Sequence, residues 1–436
     1  MQKQEAKQKA MEAIDAAADR LNEFVRDIWK HPELGFKETR TASKVAEYFD
    51  EIGLEYRDEI AITGLRADVD GAGDDLRMAI LGELDAVVCR DHPDADPETA
   101  AIHACGHHAQ LGVMMGTAIG LTTTGIHEHL GAGLSFIAVP AEEFIELEYR
   151  EKLKAEGKLE FFGGKQELIR LGELDDVDLA AMIHSAAELP DRKMQLAAGN
   201  NGFVGKTVRY SGQEAHAGAA PFYGVNALNA AMLGLMGIHA QRETFKDEDS
   251  IRVHPIITRG GDLVNIVPAD VAIETYVRGK KTEAILDASA KVNRALQGGA
   301  YAIGAEVDIT ELPGYLPMLS NSRMNDLFAE NASGLIGEEN IMRVGFRGGS
   351  TDMGDISHLM PAIHPYIGGI KGRGHARDFE VVDEEMAWLI PAKVMACTVI
   401  DLLWDDAEVA RGVIDEYEPV YDRDSYLDMW REVIEG

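Results

Sequence analysis

Residues 252–277, RVHPIITRGGDLVNIVPADVAIETYV, carry two β-rich runs, Arg252–Thr258 and Val271–Val277, on either side of a Gly-Gly turn at 260–261. β-branched and aromatic residues around such punctuation predict a strand pair. Working outward, Lys206–Tyr210 reads as a strand and Gly224–Thr244 as a helix with apolar residues at helical spacing. Thr282–Ile303 reads as a second helix, and Val307–Leu312 closes the set. The order βαββαβ is the ferredoxin-like arrangement, complete in itself. It reads as a domain, 201–317, inserted into a larger one made of 1–200 and 318–436.

The flanking sequence alternates helices with short apolar strands, the pattern of an α/β domain. One helix is expected up to about Trp29 and another over Thr41–Ile52. Strands are expected at Gly64–Val69, Leu76–Leu81, Leu134–Val139, Leu179–Ile183 and Ile363–Ile367.

With 42 Lys+Arg against 75 Asp+Glu over 436 residues, the net charge is −33. That excludes binding nucleic acid through its phosphates and argues against docking on anionic membranes. No run is expected to be long and apolar enough to span a bilayer, and the polar N-terminal helix does not resemble a signal peptide. Three scattered cysteines, Cys89, Cys105 and Cys397, form no disulfide framework. A reduced, cytoplasmic protein is expected.

Four apolar strands of the larger domain run into polar side chains. LRMAILGELD ends in Glu83 and Asp85, LSFIAVPAEE in Glu142 and Glu143, LAAMIHS in His184, and AIHPYIGGIKGRGH leads to His375. Ligands of open α/β sheets bind beyond the carboxyl ends of strands. In IHACGHHAQLGVMMG, the spacing of Cys105 and His107 puts both on one side of an extended stretch, ahead of a helix expected near Ala109. Thiolate with imidazole suits Zn, Mn or Co better than Mg or Ca. Cys105 with His108, at helical spacing, is the weaker pairing; a buried thiol with helix-capping histidines is the bland alternative. Adjacent Glu142 and Glu143 can divide the work of metal ligand and general base, although paired glutamates alone more often form a solvated turn. In the inserted domain, Arg278 suits capture of a carboxylate, and His216 and Asn265 complete a polar group. Taken singly, Arg278 reads as a surface arginine and His216 as an exposed histidine in a small-residue turn.

The constellation resembles the aminoacylase and carboxypeptidase-type dinuclear metallohydrolases, in particular the amidohydrolase branch with hippurate hydrolase, auxin-conjugate hydrolase and aminobenzoyl-glutamate hydrolase. The matching pieces are HPELGFKE (31–38), HACGH (103–107), PAEE (140–143), AHAGAAP (215–221), NALNAA (226–231), GSTDMGDISHLMPAIHPYIGG (349–369) and GHARDF (374–379), in family order. The resemblance implies a helix-flanked, mixed-sheet catalytic domain and an inserted dimerisation and lid domain, hence a homodimer. It implies two divalent ions per subunit, Mn or Zn first and Co or Ni as further choices. Cys105 would be shared between them, with His107, Glu143, His184 and His375 as the other ligands. Glu142 would be the general base, and Asp85 would orient a ligand. His216 would act in the partner subunit's site, while Asn265 and Arg278 would contact substrate. Three positions depart from the family pattern: Glu83, His108 and Gln110.

The reading is therefore an amidohydrolase for N-acyl amino acids or aminobenzoyl-glutamate-like conjugates. A dipeptidase using the same groups is the alternative, and a metal-free binding protein on this fold is the distant one.

Overall fold

The computed structural model describes residues 1–189 and 191–435. The chain forms two compact units, one of residues 1–199, 319–347 and 355–423, the other of 200–318 and 348–354 with the C-terminal residues from Asp424. The expectation from sequence had left 348–354 and the C-terminal residues with the larger domain.

In the larger unit a six-stranded sheet runs in the order Tyr56–Ile60, Gly64–Val69, Gly133–Val139, Arg77–Glu83, Leu179–Ala181, Ala362–Ile363. The first two pairings are antiparallel and the last three parallel, so the sheet is mixed. Gly133–Val139 is buried at every residue, which is why it reads as an unbroken apolar run rather than an alternating one. Because the last four strands are parallel, the segments that follow them all leave from one sheet edge. That edge carries Glu83, Asp85, Glu142, Glu143 and His184.

Three expectations need correction. Ile363–Ile367 is not one strand: Ala362–Ile363 pairs with Leu179–Ala181, and Tyr366–Ile367 pairs with His184–Ser185 and Met194–Asn200 in another sheet. Pro365 between them has no N–H to give either ladder. The first helix is two, Lys3–Ala16 and Ala18–Lys30. Among the described residues one helical run, Glu385–Leu403, is long and apolar enough to cross a membrane, contrary to the expectation of none, but 94% of its apolar 18-residue window is buried inside the protein. It packs on the His107–Thr122, Lys3–Ala16 and Ser322–Ile336 helices. Its two buried charged residues are matched there: Lys393 pairs with Asp15, and Asp401 with Lys7. Gly116 permits the closest approach, since a Cβ there would sit 2.7 Å from the Ala392 methyl.

The second unit holds the antiparallel sheet Arg252–Val253, Asp270–Gly279, Gly202–Ser211, Glu306–Tyr315, with Ile256–Arg259 also pairing on Asp270–Gly279. Helices Ala227–Gln241 and Thr282–Ile303 pack on each other and on this sheet. The connection order is βαββαβ, as the 252–277 stretch predicts. The expected Arg252–Thr258 strand is interrupted at His254–Pro255, again where a proline withholds its N–H. Burial along Asp270–Gly279 alternates residue by residue, the period of a half-buried strand.

Candidate metal centre

The helix carrying the Cys-Gly-His segment begins at His107, not near Ala109. Gly106 caps it at φ 91°, a left-handed conformation that favours glycine. A Cβ there would also lie 2.2 Å from Ser185 Oγ. This turn places Cys105 and His107 together facing the strand ends. His107 is fully buried, with Nδ1 2.9 Å from the Asp85 carbonyl and 3.1 Å from Asp85 Oδ1. Asp85 Oδ2 also accepts the Glu143 N–H at 2.9 Å, so one carboxylate fixes both the imidazole and the neighbouring strand end. With Nδ1 engaged, His107 presents Nε2 to the cluster.

Cys105 Sγ lies 3.4 Å from His184 Nε2, whose Nδ1 is 2.7 Å from the Ser185 carbonyl. Glu143 Oε1 lies 3.1 Å from His375 Nε2 and 4.0 Å from His107 Nε2. Glu142 Oε2 is 3.8 Å from His107 Nε2. Among the described residues, three groups each hold ligand atoms within 4.8 Å of one another: Cys105–His107–His184, Cys105–Glu143–His375 and Glu83–His107–Glu142. Cys105 belongs to the first two groups. His375 enters from a loop at φ 58°, a conformation that costs a non-glycine residue of order 1–3 kcal/mol and persists where the surroundings impose it. Its N–H donates to the Ala104 carbonyl at 2.9 Å.

The charges reinforce one another. Burial and the Glu143 carboxylate push the Cys105 thiol up, but His107, His184 and His375 outweigh them and bring it down to about 6. Glu143 drops to about 2: burial opposes ionisation, and His375 with His107 overrides it. His375 is pushed up to about 12, first by Glu143 and then by the Cys105 thiolate. His107 rises well above the usual imidazole range although burial opposes it, because Glu83 and Cys105 favour the cation.

Two buried metal-type ligand atoms, His107 Nε2 and Glu143 Oε1, have no aligned hydrogen bond among the described residues despite close polar neighbours. Unpaired buried polar atoms are costly. Lone pairs of S, N and O converging on common points are the donor set of a borderline-soft divalent cation, so the residues fit the metal that the sequence implies.

In the second unit, His216 is exposed, and its Nδ1 accepts the N–H groups of Gly218 and Ala219 at 3.2 and 3.1 Å. That assigns the ring proton to Nε2, which faces away as a donor. Asn265 is joined to this turn through its carbonyl, which accepts the Ala217 N–H at 2.9 Å. Arg278 lies within the Asp270–Gly279 strand, donates to Ser350 Oγ at 3.1 Å and stacks over Phe203 and Tyr276.

The family model for Peptidase family M20/M25/M40 matches residues 79–400. The chain belongs to this family. It is 30% identical to a mouse Xaa-Arg dipeptidase over 94% of this chain and 92% of that protein. It is 24% identical to a p-aminobenzoyl-glutamate hydrolase chain of Escherichia coli over 90% of this protein and 98% of that one. Among solved structures, a dinuclear metal-binding M20 peptidase from Bacillus subtilis superposes with a TM-score of 0.68 at 23% identity, covering 89% of this chain and 99% of that one. This M20 protein is accordingly a metal-dependent hydrolase of carbon–nitrogen bonds on the mixed-sheet α/β fold of that family.

Within this M20 chain, His108 does not join the cluster. It packs between Trp29 and Trp388 beside His103, and burial followed by His107 drives it down to about 3. The Cys105–His108 pairing is therefore not the one the fold makes. Four more buried residues lie near the cluster: Glu83, read from sequence as a strand-end acid, Gln110, read only as a departure from the family pattern, and Lys165 and Glu38, which had no role in the sequence reading. Glu83 lies 3.0 Å from His107 Nε2, and Lys165 and Gln110 both bond to it. Glu38 accepts the Ala141 N–H at 2.8 Å, one residue before Glu142. Glu83 was legible as a strand end; Lys165 carried no signal, since a lysine on a helix reads as solvent-facing.

Proposed function

We propose that the protein hydrolyses an amide bond whose amine half is an amino acid with a free carboxylate, the N-acyl amino acid or aminobenzoyl-glutamate class. The observation that carries this is Cys105 shared between two three-donor groups, which supports Cys105, His107, Glu143, His184 and His375 as ligands of two divalent ions, Zn or Mn first. Bound there, such ions would polarise the scissile carbonyl and acidify the attacking water. Glu142, buried beside His107, takes the proton as water attacks and returns it to the departing amine. Asp85 holds His107 in the tautomer that presents Nε2. The Nε2–H of His216 is a donor suited to an oxyanion. Arg278 and Asn265 anchor the substrate carboxylate, so Arg278→Ala should raise KM about tenfold on carboxylate-bearing substrates and leave kcat nearly unchanged.

Exposed Phe222, Tyr223, Met232, Met236, Leu263 and Val264 in the second unit favour a homodimer through the inserted domain, with His216 acting in the partner subunit's site. Free Cys89, Cys105 and Cys397 favour a reducing, cytoplasmic setting.

A second reading, a dipeptide with a basic carboxy-terminal residue, has its own support. The mouse relative at 30% identity is a dipeptidase of that kind, and a net charge of −33 attracts cationic substrates.

The test is metal content by elemental mass spectrometry for wild type and Cys105→Ala, followed by amide and dipeptide substrate panels. Two ions per chain, at least one lost in the variant, and turnover of one substrate class are expected. A wild type that takes up no Zn, Mn or Co would end the proposal.

A further inference from the structure

Resting on that metal-site reading, we infer that Lys165 is a built-in positive charge that holds Glu83 beside His107 and weakens the binding of one of the two ions. The side chains of Glu83, Lys165, Gln110 and His107 are all at most 1% exposed. Glu83 Oε1 accepts from Lys165 Nζ at 2.6 Å, and Oε2 accepts from Gln110 Nε2 at 2.8 Å. The same Gln110 turns its carbonyl back to take the Glu83 N–H at 3.1 Å. Gln110 thus grips both the backbone and the carboxylate of one residue, and the departures at 83 and 110 are two halves of one contact. The carboxylate that results has one oxygen neutralised by lysine and the other 3.0 Å from the His107 nitrogen that faces the cluster.

Fold stability alone does not call for this arrangement. A buried ion pair loses so much hydration that apolar residues of similar size usually serve as well or better. What the pair does is electrostatic. Glu83, His107 and Glu142 form one of the three donor groups, and Lys165 touches the first of them. A fixed ammonium bonded to Glu83 in a dry interior would oppose a divalent cation on that group, so an ion that uses His107 beside Glu83 would bind more weakly than one on Cys105, Glu143 and His375. Lys165 and Gln110 are positioning residues here, acting on the metal through Glu83.

The experiment uses chelator-stripped full-length protein titrated with Zn2+ or Mn2+, read by metal stoichiometry and by the metal-induced rise in Tm. In Lys165→Met, the buried Glu83 charge loses its partner and gains a use for the cation. The metal-free protein should melt lower, the metal-induced rise should grow, and the weaker affinity should tighten at least tenfold. The pair Lys165→Met with Glu83→Gln removes both charges, guards against failure of the single variant to fold, and should return the metal-induced rise to the wild-type value or below. Equal losses of Tm with and without metal, at unchanged affinity, would show a structural pair only and overturn the inference. Wild type that binds no metal at all would instead overturn the reading beneath it.

Discussion

Two histidines of the larger unit offer the same nitrogen to the same cluster, yet they are held by different physics. His107 starts a buried helix, is fully enclosed, and has its far nitrogen gripped by Asp85 at two points. His375 comes from a loop in a left-handed conformation, with a side chain 52% exposed, and is placed by one main-chain bond to Ala104 and by attraction to Glu143. The first is set by packing, the second by charge. A site built this way has a rigid floor at the strand ends and a rim that depends on the ions in it.

The largest effect should come from the residue that belongs to neither holding scheme. Glu142→Gln should lower kcat about 10³-fold while both ions stay bound; metal loss in that variant would mean the floor is less rigid than described. Next, Asp85→Ala should weaken metal binding 10- to 100-fold and lower the Tm of the metal-free protein, because it releases both His107 and the Glu143 N–H. His375→Ala should weaken metal binding by a similar factor while leaving the metal-free Tm within about a degree. Chelator titration and calorimetry on the two variants compare floor with rim directly, and a larger Tm loss in His375→Ala would invert the comparison. Acid should then act on all the imidazoles together: His107, His184 and His375 are raised above their usual range. As the ligands proposed above, each would have to lose a proton to bind metal. Apparent metal affinity should fall steadily from pH 8 to pH 6 in competition titrations.

The smallest effect concerns Glu38 beneath the floor. Burial, followed by the Asp85 charge, raises it from 4.5 to about 7. The folded chain therefore holds a proton that the unfolded chain releases between those values. The stability this adds is complete below about pH 4.5 and lost by about pH 7. Metal-free wild type should lose stability relative to Glu38→Gln across that window by at most about 3 kcal/mol. Parallel melting curves of the two proteins from pH 5 to 7.5 would refute the assignment.

The rigid floor was the part legible in sequence. Strands buried on both faces announce themselves as apolar runs, and acids or histidines at their ends stand out against them; Glu142, Glu143 and His184 were found that way. The Cys-Gly-His turn was visible too, though its helix starts two residues earlier than periodicity suggests, because a left-handed glycine can cap a helix that has no polar cap residue. Lys165 gave no signal, and Gln110 stood out only as a departure from the family pattern, for a physical reason: their meaning depends on a contact with Glu83 across 82 and 27 positions of chain. Local spacing carries no trace of such a pairing. The breaks at His254–Pro255 and His364–Pro365 were written in the prolines and passed over in favour of the apolar residues around them.

The buried Glu385–Leu403 helix has a bearing on the order in which the protein is made. It is the last long helix of the larger unit to leave the ribosome, and the three helices it packs on most, Lys3–Ala16, His107–Thr122 and Ser322–Ile336, are synthesised before it. Until it arrives, their apolar faces stand open to water and to every other unfinished chain nearby. A frameshift or nonsense codon just ahead of Glu385 would leave every proposed metal ligand intact and still yield an insoluble product.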